Sequence, residues 1–244
     1  MPITLVTGAN RGLGLAAAEA LAREAHCVLL AGRDRANVHA AAVKLRAEGL
    51  DVVPVELDVT SRASIAAAAD RVAQDHGRLD VLINNAGILP EATDGSEHEF
   101  ANPDLFPVTF ETNLFGAVAV TEVFLPLLRR SPMGRIVNVS TTMGSLNDQA
   151  NPDSAYYQLV VPAYQASKAA LNSVTISLAK RLADTNIKVS SVCPGFVQTD
   201  LTPVNKDQAP LTADQAARVV LTAATLPGTA ESGAFFDMNG PVAW

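Results

Sequence analysis

Two cysteines in 244 residues cannot build a disulfide framework. Cys27 and Cys193 lie far apart in apolar contexts and are expected as buried thiols in a reducing compartment. Histidine is scarce too: His26, His39, His76 and His98 are scattered without ligand spacing, so no metal is expected and each should sit at the surface or in a loop. Basic residues are outnumbered, 18 Lys and Arg against 25 Asp and Glu, and the net charge of −7 argues against a nucleic-acid partner. Long apolar runs are missing. The nearest, "NLFGAVAVTEVFLPLL", carries Glu122 and Pro126, so no membrane span is expected. Nothing leader-like precedes "ITLVTG", which already reads as a strand, and a cytoplasmic protein is expected.

What is present is a hydrophobic share of 48%, ample for one α/β core. Short strand-like runs recur: "ITLVTG", "CVLLAG", "DVVPVELDV", "LDVLINNAG", "RIVNVST", "IKVSSVCPG" and "GAFFDMNG". Between them lie alanine-rich stretches of helical period, such as "LGLAAAEALARE". The alternation predicts one α/β domain over 1–244, a Rossmann-type, seven-stranded parallel doubly wound sheet with about six helices on its two faces. Two segments break the rhythm. Residues 88–104 hold Glu91, Asp94, Glu97, Glu99 and Asp104 and read as a solvated loop; residues 146–162 combine turn chemistry with Tyr156 and Tyr157. Both follow strands, so both should lie on the sheet edge where such proteins bind ligands.

"LVTGANRGLGLAAAEAL" places Gly8, Gly12 and Gly14 between the first strand and a helix, where backbone N–H groups can approach a pyrophosphate. After the second strand comes Arg33, then Asp34; Arg11 lies inside the glycine turn. Two guanidiniums suit a ribose 2′-phosphate, so NADP(H) is expected over NAD(H). In "YQASK", Tyr164 and Lys168 share a helix face. A phenol titrates near 10, and a neighbouring ammonium would favour its ionised form.

The motifs "TGANRGLG" (7–14), "LDV" (57–59), "NNAG" (84–87), "ETNLFG" (111–116), "GRIVNVST" (134–141), "YQASK" (164–168) and "PGFVQT" (194–199) occur in one order. In that order they closely resemble the short-chain dehydrogenase/reductase family over nearly the whole chain, with a softer likeness to its carbonyl-reductase branch. The resemblance implies Tyr164 as catalytic acid, Lys168 as its partner and nicotinamide-ribose contact, and Asn113 as holder of a relay water. The catalytic hydroxyl falls on Thr141, where the family usually has serine; Ser140, one residue earlier on an extended strand, should face the other way. For the cofactor the resemblance implies the turn residues Gly8, Asn10, Arg11, Gly12, Leu13 and Gly14, with Arg33. Further along it implies Asp58 and Val59 near the adenine, Asn85, Ala86 and Gly87 along the ribose, and Pro194, Gly195, Val197 and Thr199 on the nicotinamide side.

The expected reaction is NADPH-dependent reduction of an aldehyde, ketone or quinone. Two alternatives use the same fold: NAD-dependent oxidation of an alcohol with the same residues, and a non-catalytic dinucleotide sensor. The loops 88–104, 143–163 and 196–212 should form the substrate pocket, with Met143, Tyr156, Tyr157, Leu159 and Phe196 as walls. Thr141 and Tyr164 stand 23 residues apart, about ten more than the short spacing usual in the family. The extra residues are expected to cover the helix face through which relatives pair. A monomer is therefore favoured, a homo-oligomer remaining open.

Overall fold

The computed structural model describes residues 1–244. Its strands are β1 (Ile3–Thr7), β2 (Cys27–Gly32), β3 (Val52–Glu56), β4 (Val81–Asn84), β5 (Arg135–Val139), β6 (Lys188–Val192), β7 (Ala234–Asp237) and β8 (Gly240–Pro241). The helices are α1 (Gly12–Arg23), α2 (Arg35–Ala47), α3 (Arg62–His76), α4 (Leu105–Phe110), α5 (Ala117–Leu128), α6 (Leu146–Gln149), α7 (Pro162–Arg181), α8 (Asn205–Gln208) and α9 (Ala213–Ala224). All strands join one sheet in the order β3-β2-β1-β4-β5-β6-β7-β8. The seven expected strands run parallel; the eighth, two residues long, folds back antiparallel on β7.

The strand residues alternate between two cores, as a pleat with both faces covered requires. Leu5, Leu29, Leu82 and Ile136 face α3, α5 and the end of α7; Val6, Leu30, Ile83 and Val137 face α1, α2 and α9. Each fully buried aliphatic side chain contributes roughly 1.5–3 kcal/mol relative to an exposed one. After β3 the chain crosses to the far side of β1, so the strand order reverses between β1 and β4. The turns after those two strands therefore open a cleft at the carboxyl edge of the sheet.

Two expectations need correction. His26 is buried rather than superficial, its Nδ1 2.7 Å from Thr4 Oγ1, and burial pushes its imidazole below the usual range. A π-helical turn, Glu111–Gly116, joins α4 to α5, making Leu105–Leu128 one 24-residue helix long and apolar enough to cross a membrane by length and composition. The sequence run looked too interrupted for that. Here the helix lies against the sheet, with Val120, Phe124, Leu127 and Leu128 in the core.

Candidate active site

The glycine turn is built by close approach. At Gly14 a β-carbon would lie 2.4 Å from the Gly8 carbonyl oxygen and 2.5 Å from Asn85 Nδ2, so no side chain fits. Gly8 has φ of +65°, a left-handed value that favours glycine. Asn85 donates through Nδ2 to the Thr7 carbonyl at 2.9 Å, and Thr7 Oγ1 accepts from the amides of Asn85 and Ala86, each at 3.0 Å. Asn85 thus holds the two cleft turns together. Thr199 crosses the turn: a β-carbon on Gly12 would lie 3.3 Å from it.

At the end of β2, Asp34 caps α2, accepting from the Asn37 amide at 3.0 Å and from Asn37 Nδ2 at 2.8 Å. Arg33 beside it is exposed and makes no ion pair; Asn10 lies close to Gly32 on the cleft side. Arg11 is also exposed and reaches Asp200 at 3.7 Å, while Lys206 pairs with the same carboxylate. Exposed pairs of this kind contribute about 0–1 kcal/mol, so Arg11 is free to exchange partners. Asp58 accepts from the Thr60 amide and hydroxyl at 2.9 and 2.8 Å, and Val59 packs on Gly116. Pro194, Gly195 and Val197 follow β6; Gly195 is left-handed (φ +83°), and Val197 bridges to Leu211, closing the 196–212 loop on itself.

Helix α7 buries a largely polar stripe: Tyr164, Ser167, Lys168, Asn172 and Thr175. Their spacing of three and four residues puts them on one face. The Lys168 ammonium donates to the Val139 carbonyl at 2.7 Å and lies 5.8 Å from the centre of the Tyr164 ring. Asn113, on the π-helical turn, accepts from the Ile88 amide at 2.8 Å and donates to the Ile88 carbonyl and to Ser167 Oγ at 3.0 and 3.1 Å. A β-carbon on Gly87 would stand 3.5 Å from Asn113 Oδ1 and 3.6 Å from Lys168 Nζ, so these groups converge on Gly87. π-turns of this kind recur at functional sites because they displace one residue from the helical register.

The end of β5 is pressed onto this helix. A β-carbon on Gly144 would lie 2.8 Å from the Lys168 carbonyl carbon, so only glycine lets the 141–145 turn dock there. Thr141 is half-exposed on the cleft side and accepts from the Met143 amide at 3.2 Å. Ser140 faces inward, buried, its hydroxyl without a partner. Met143, Val161 and Tyr164 form a small apolar cluster, joined by Leu89 and Tyr156. Of the other expected walls, Phe196 is half-buried, whereas Tyr157 and Leu159 face solvent. The insertion leaves Phe115 and Val118 of the long helix exposed, so the covering of that face is not seen.

Burial governs the titration of the pair. It drives the Tyr164 phenol well above its ordinary value, with Cys193 and Tyr156 adding to the effect, and lowers the Lys168 ammonium to about 8. The sequence expectation is that Lys168 favours the ionised phenol; in this structure burial sets the direction of the Tyr164 shift, upward.

Known proteins resemble this chain in sequence and fold. The family model for short chain dehydrogenases matches residues 2–209. The chain belongs to the short-chain dehydrogenase family. It is 36% identical over 230 residues to the short-chain dehydrogenase anuI of Penicillium roqueforti, covering 92% of this chain and 88% of that one. It is 32% identical to the (+)-neomenthol dehydrogenase of Arabidopsis thaliana, covering 96% and 95%. Among solved structures, NADPH-bound carbonyl reductase from chicken fatty liver superposes with a TM-score of 0.85 over the full length of both chains, at 29% identity. This short-chain dehydrogenase is accordingly an oxidoreductase of the nicotinamide-dinucleotide class.

Sequence reasoning missed two site residues. Gly144 lies outside the quoted motifs, and its need for glycine comes only from the docked helix. Glu91, assigned to a solvated loop, accepts from the amides of Ala163 and Tyr164 at 2.9 and 2.8 Å.

Proposed function

We propose that this dehydrogenase is an NADPH-dependent carbonyl reductase acting on a moderately apolar aldehyde, ketone or quinone. The observation that carries the reading is the burial of Tyr164 and Lys168 on one helix face, against the strand end bearing Thr141. The cleft's glycines leave the space that a pyrophosphate needs, and a nicotinamide dinucleotide bound there supplies the hydride. Tyr164 would donate its proton to the carbonyl oxygen as the carbonyl carbon takes the hydride, giving the alcohol; the phenol then recovers a proton from solvent. A phenol is protonated at neutral pH, and burial raises Tyr164 further, so the residue rests in the form that donates a proton to a carbonyl. Thr141 Oγ1 orients and polarises the same oxygen, and Asn113 fixes the turn beside Lys168 through which protons return.

Two features support NADPH. Arg33 is unpaired beside the cleft, and the neighbouring carboxylate, Asp34, is engaged as a helix cap rather than free to bind a ribose diol. Met143 and Tyr156, packed at Tyr164, are the apolar walls that favour an apolar carbonyl.

The test is Tyr164→Phe, which removes the proton donor and little of the cofactor cleft. Reduction of a panel of carbonyl compounds should fall by about a hundredfold or more, with NADPH binding by fluorescence titration unchanged. Near-normal turnover in the variant would make Tyr164 the wrong acid.

A further inference from the structure

We infer that Glu91 is a positioning residue for the reaction: its carboxylate fixes the start of the catalytic helix, and with it the Tyr164 phenol, to the loop that leaves β4. The inference rests on Tyr164 being the proton donor.

A helix leaves its first amides without partners inside the helix, and they need acceptors from elsewhere. In α7 the usual local remedy is absent, because the residue before the helix is Val161, whose side chain makes no cap. Pro162 has no amide hydrogen to satisfy. The next two amides, Ala163 and Tyr164, point at one carboxylate: Ala163 N donates to Glu91 Oε1 at 2.9 Å and Tyr164 N to Glu91 Oε2 at 2.8 Å. That acceptor lies more than seventy residues earlier in the chain. A carboxylate at this end of a helix also meets the positive end of its dipole.

The same short segment makes two further attachments. Ile88 exchanges both backbone hydrogen bonds with the Asn113 side chain, and Leu89 packs against the Met143, Val161 and Tyr164 cluster. Pro90 then opens a 3₁₀ turn, Pro90–Thr93, that aims Glu91 at α7. Within four residues, the exit of β4 is therefore tied to Asn113, to the surroundings of the Tyr164 ring and to the Tyr164 backbone. Glu91 contributes the only charged group of the three ties, and it acts on Tyr164 through the main chain rather than on substrate. Misplacement of a proton donor by a fraction of an ångström penalises the chemical step and leaves cofactor binding alone. A cap that merely stabilised the fold would lower both together or neither.

The experiment compares Glu91→Ala and Glu91→Gln with the wild type by steady-state kinetics on a carbonyl compound the wild type reduces. NADPH titration and hydrogen exchange at the Ala163 and Tyr164 amides accompany it. Glu91→Ala should lose roughly tenfold or more in kcat, with NADPH affinity unchanged within about twofold and both amides exchanging faster. Glu91→Gln keeps one acceptor oxygen in place, so it should lose only about threefold, with one of the two amides still protected. An alanine variant with unchanged kcat overturns the inference, as does one that loses NADPH binding in step with kcat. Unaltered exchange at both amides also overturns it. Should Glu91→Ala fail to fold, Glu91→Gln decides: unchanged kcat and exchange overturn the inference. If the wild type reduces no carbonyl compound, the functional reading fails, while the exchange comparison still tests the tether.

Discussion

Arg33 and Asp34 are adjacent, opposite in charge and divided in purpose. The carboxylate closes the first turn of α2, and the guanidinium stays free at the rim of the cleft. The sequence placed both at the end of the second strand and assigned the ligand to Arg33; that Asp34 is taken up as a cap was not legible, because capping depends on where the helix begins. If Arg33 receives a 2′-phosphate, Arg33→Ala should raise the Michaelis constant for NADPH by roughly tenfold or more, as losing a charge-assisted pair implies, while that for NADH hardly moves. Parallel initial-rate series with the two cofactors check this, and equal effects would remove Arg33 from cofactor selection. At the same scale, strand alternation predicted that Ser140 and Thr141 face opposite ways, which the inward, partnerless Ser140 hydroxyl bears out; Thr141 as the catalytic one came from the family resemblance, with Ser140 left open.

Elements were legible where periodicity was local and long. All seven parallel strands lie within the runs that the sequence marked, and α1 matches its helical stretch to within one residue at each end. The two-residue β8 was not legible, since so short a pairing has no pattern. Nor was the π-helical turn, whose residues read as ordinary helix. The cap on α7 escaped for a different reason: its acceptor is remote, so no signal within the helix announces it. Docking of the 141–145 turn on α7 depends on the missing side chain at Gly144. Gly144→Ala would set a methyl group against backbone at 2.8–3.0 Å, which neither side can yield cheaply. Overpacking of this kind costs about 1–3 kcal/mol. Thermal unfolding should show the loss, and turnover should fall further than stability alone explains, because Thr141 and Lys168 part. A variant equal to the wild type in both would separate this contact from the site.

For the whole molecule, the buried ammonium of Lys168 is a liability that the fold carries. Its pKa in the folded chain, about 8, lies below the ordinary lysine value of 10.5, so between those limits the unfolded chain binds the extra proton. The penalty of burying this group is therefore full below about pH 8 and is relieved as pH climbs from about 8 to 10.5, where stability rises; it returns as pH falls back through that window. Urea unfolding of the wild type and of Lys168→Met at pH 7.5 and 9.5 isolates the term, since other titrations cancel in the difference. The wild type should gain roughly 1–2 kcal/mol on the variant over that interval; a constant difference would mean that the ammonium is not desolvated.

The reversal of strand order has a consequence for synthesis. A chain emerging from the ribosome completes β1, β2 and β3 before β4 exists, and β4 is the strand that must slot against β1. Until Val81–Asn84 arrives, the wholly buried strand Ile3–Thr7 presents an open, apolar edge. Such edges invite pairing with other chains. The nascent half-sheet is thus most vulnerable to misassembly over the interval in which α3 is being made, and the ligand cleft comes into being at the moment that hazard ends.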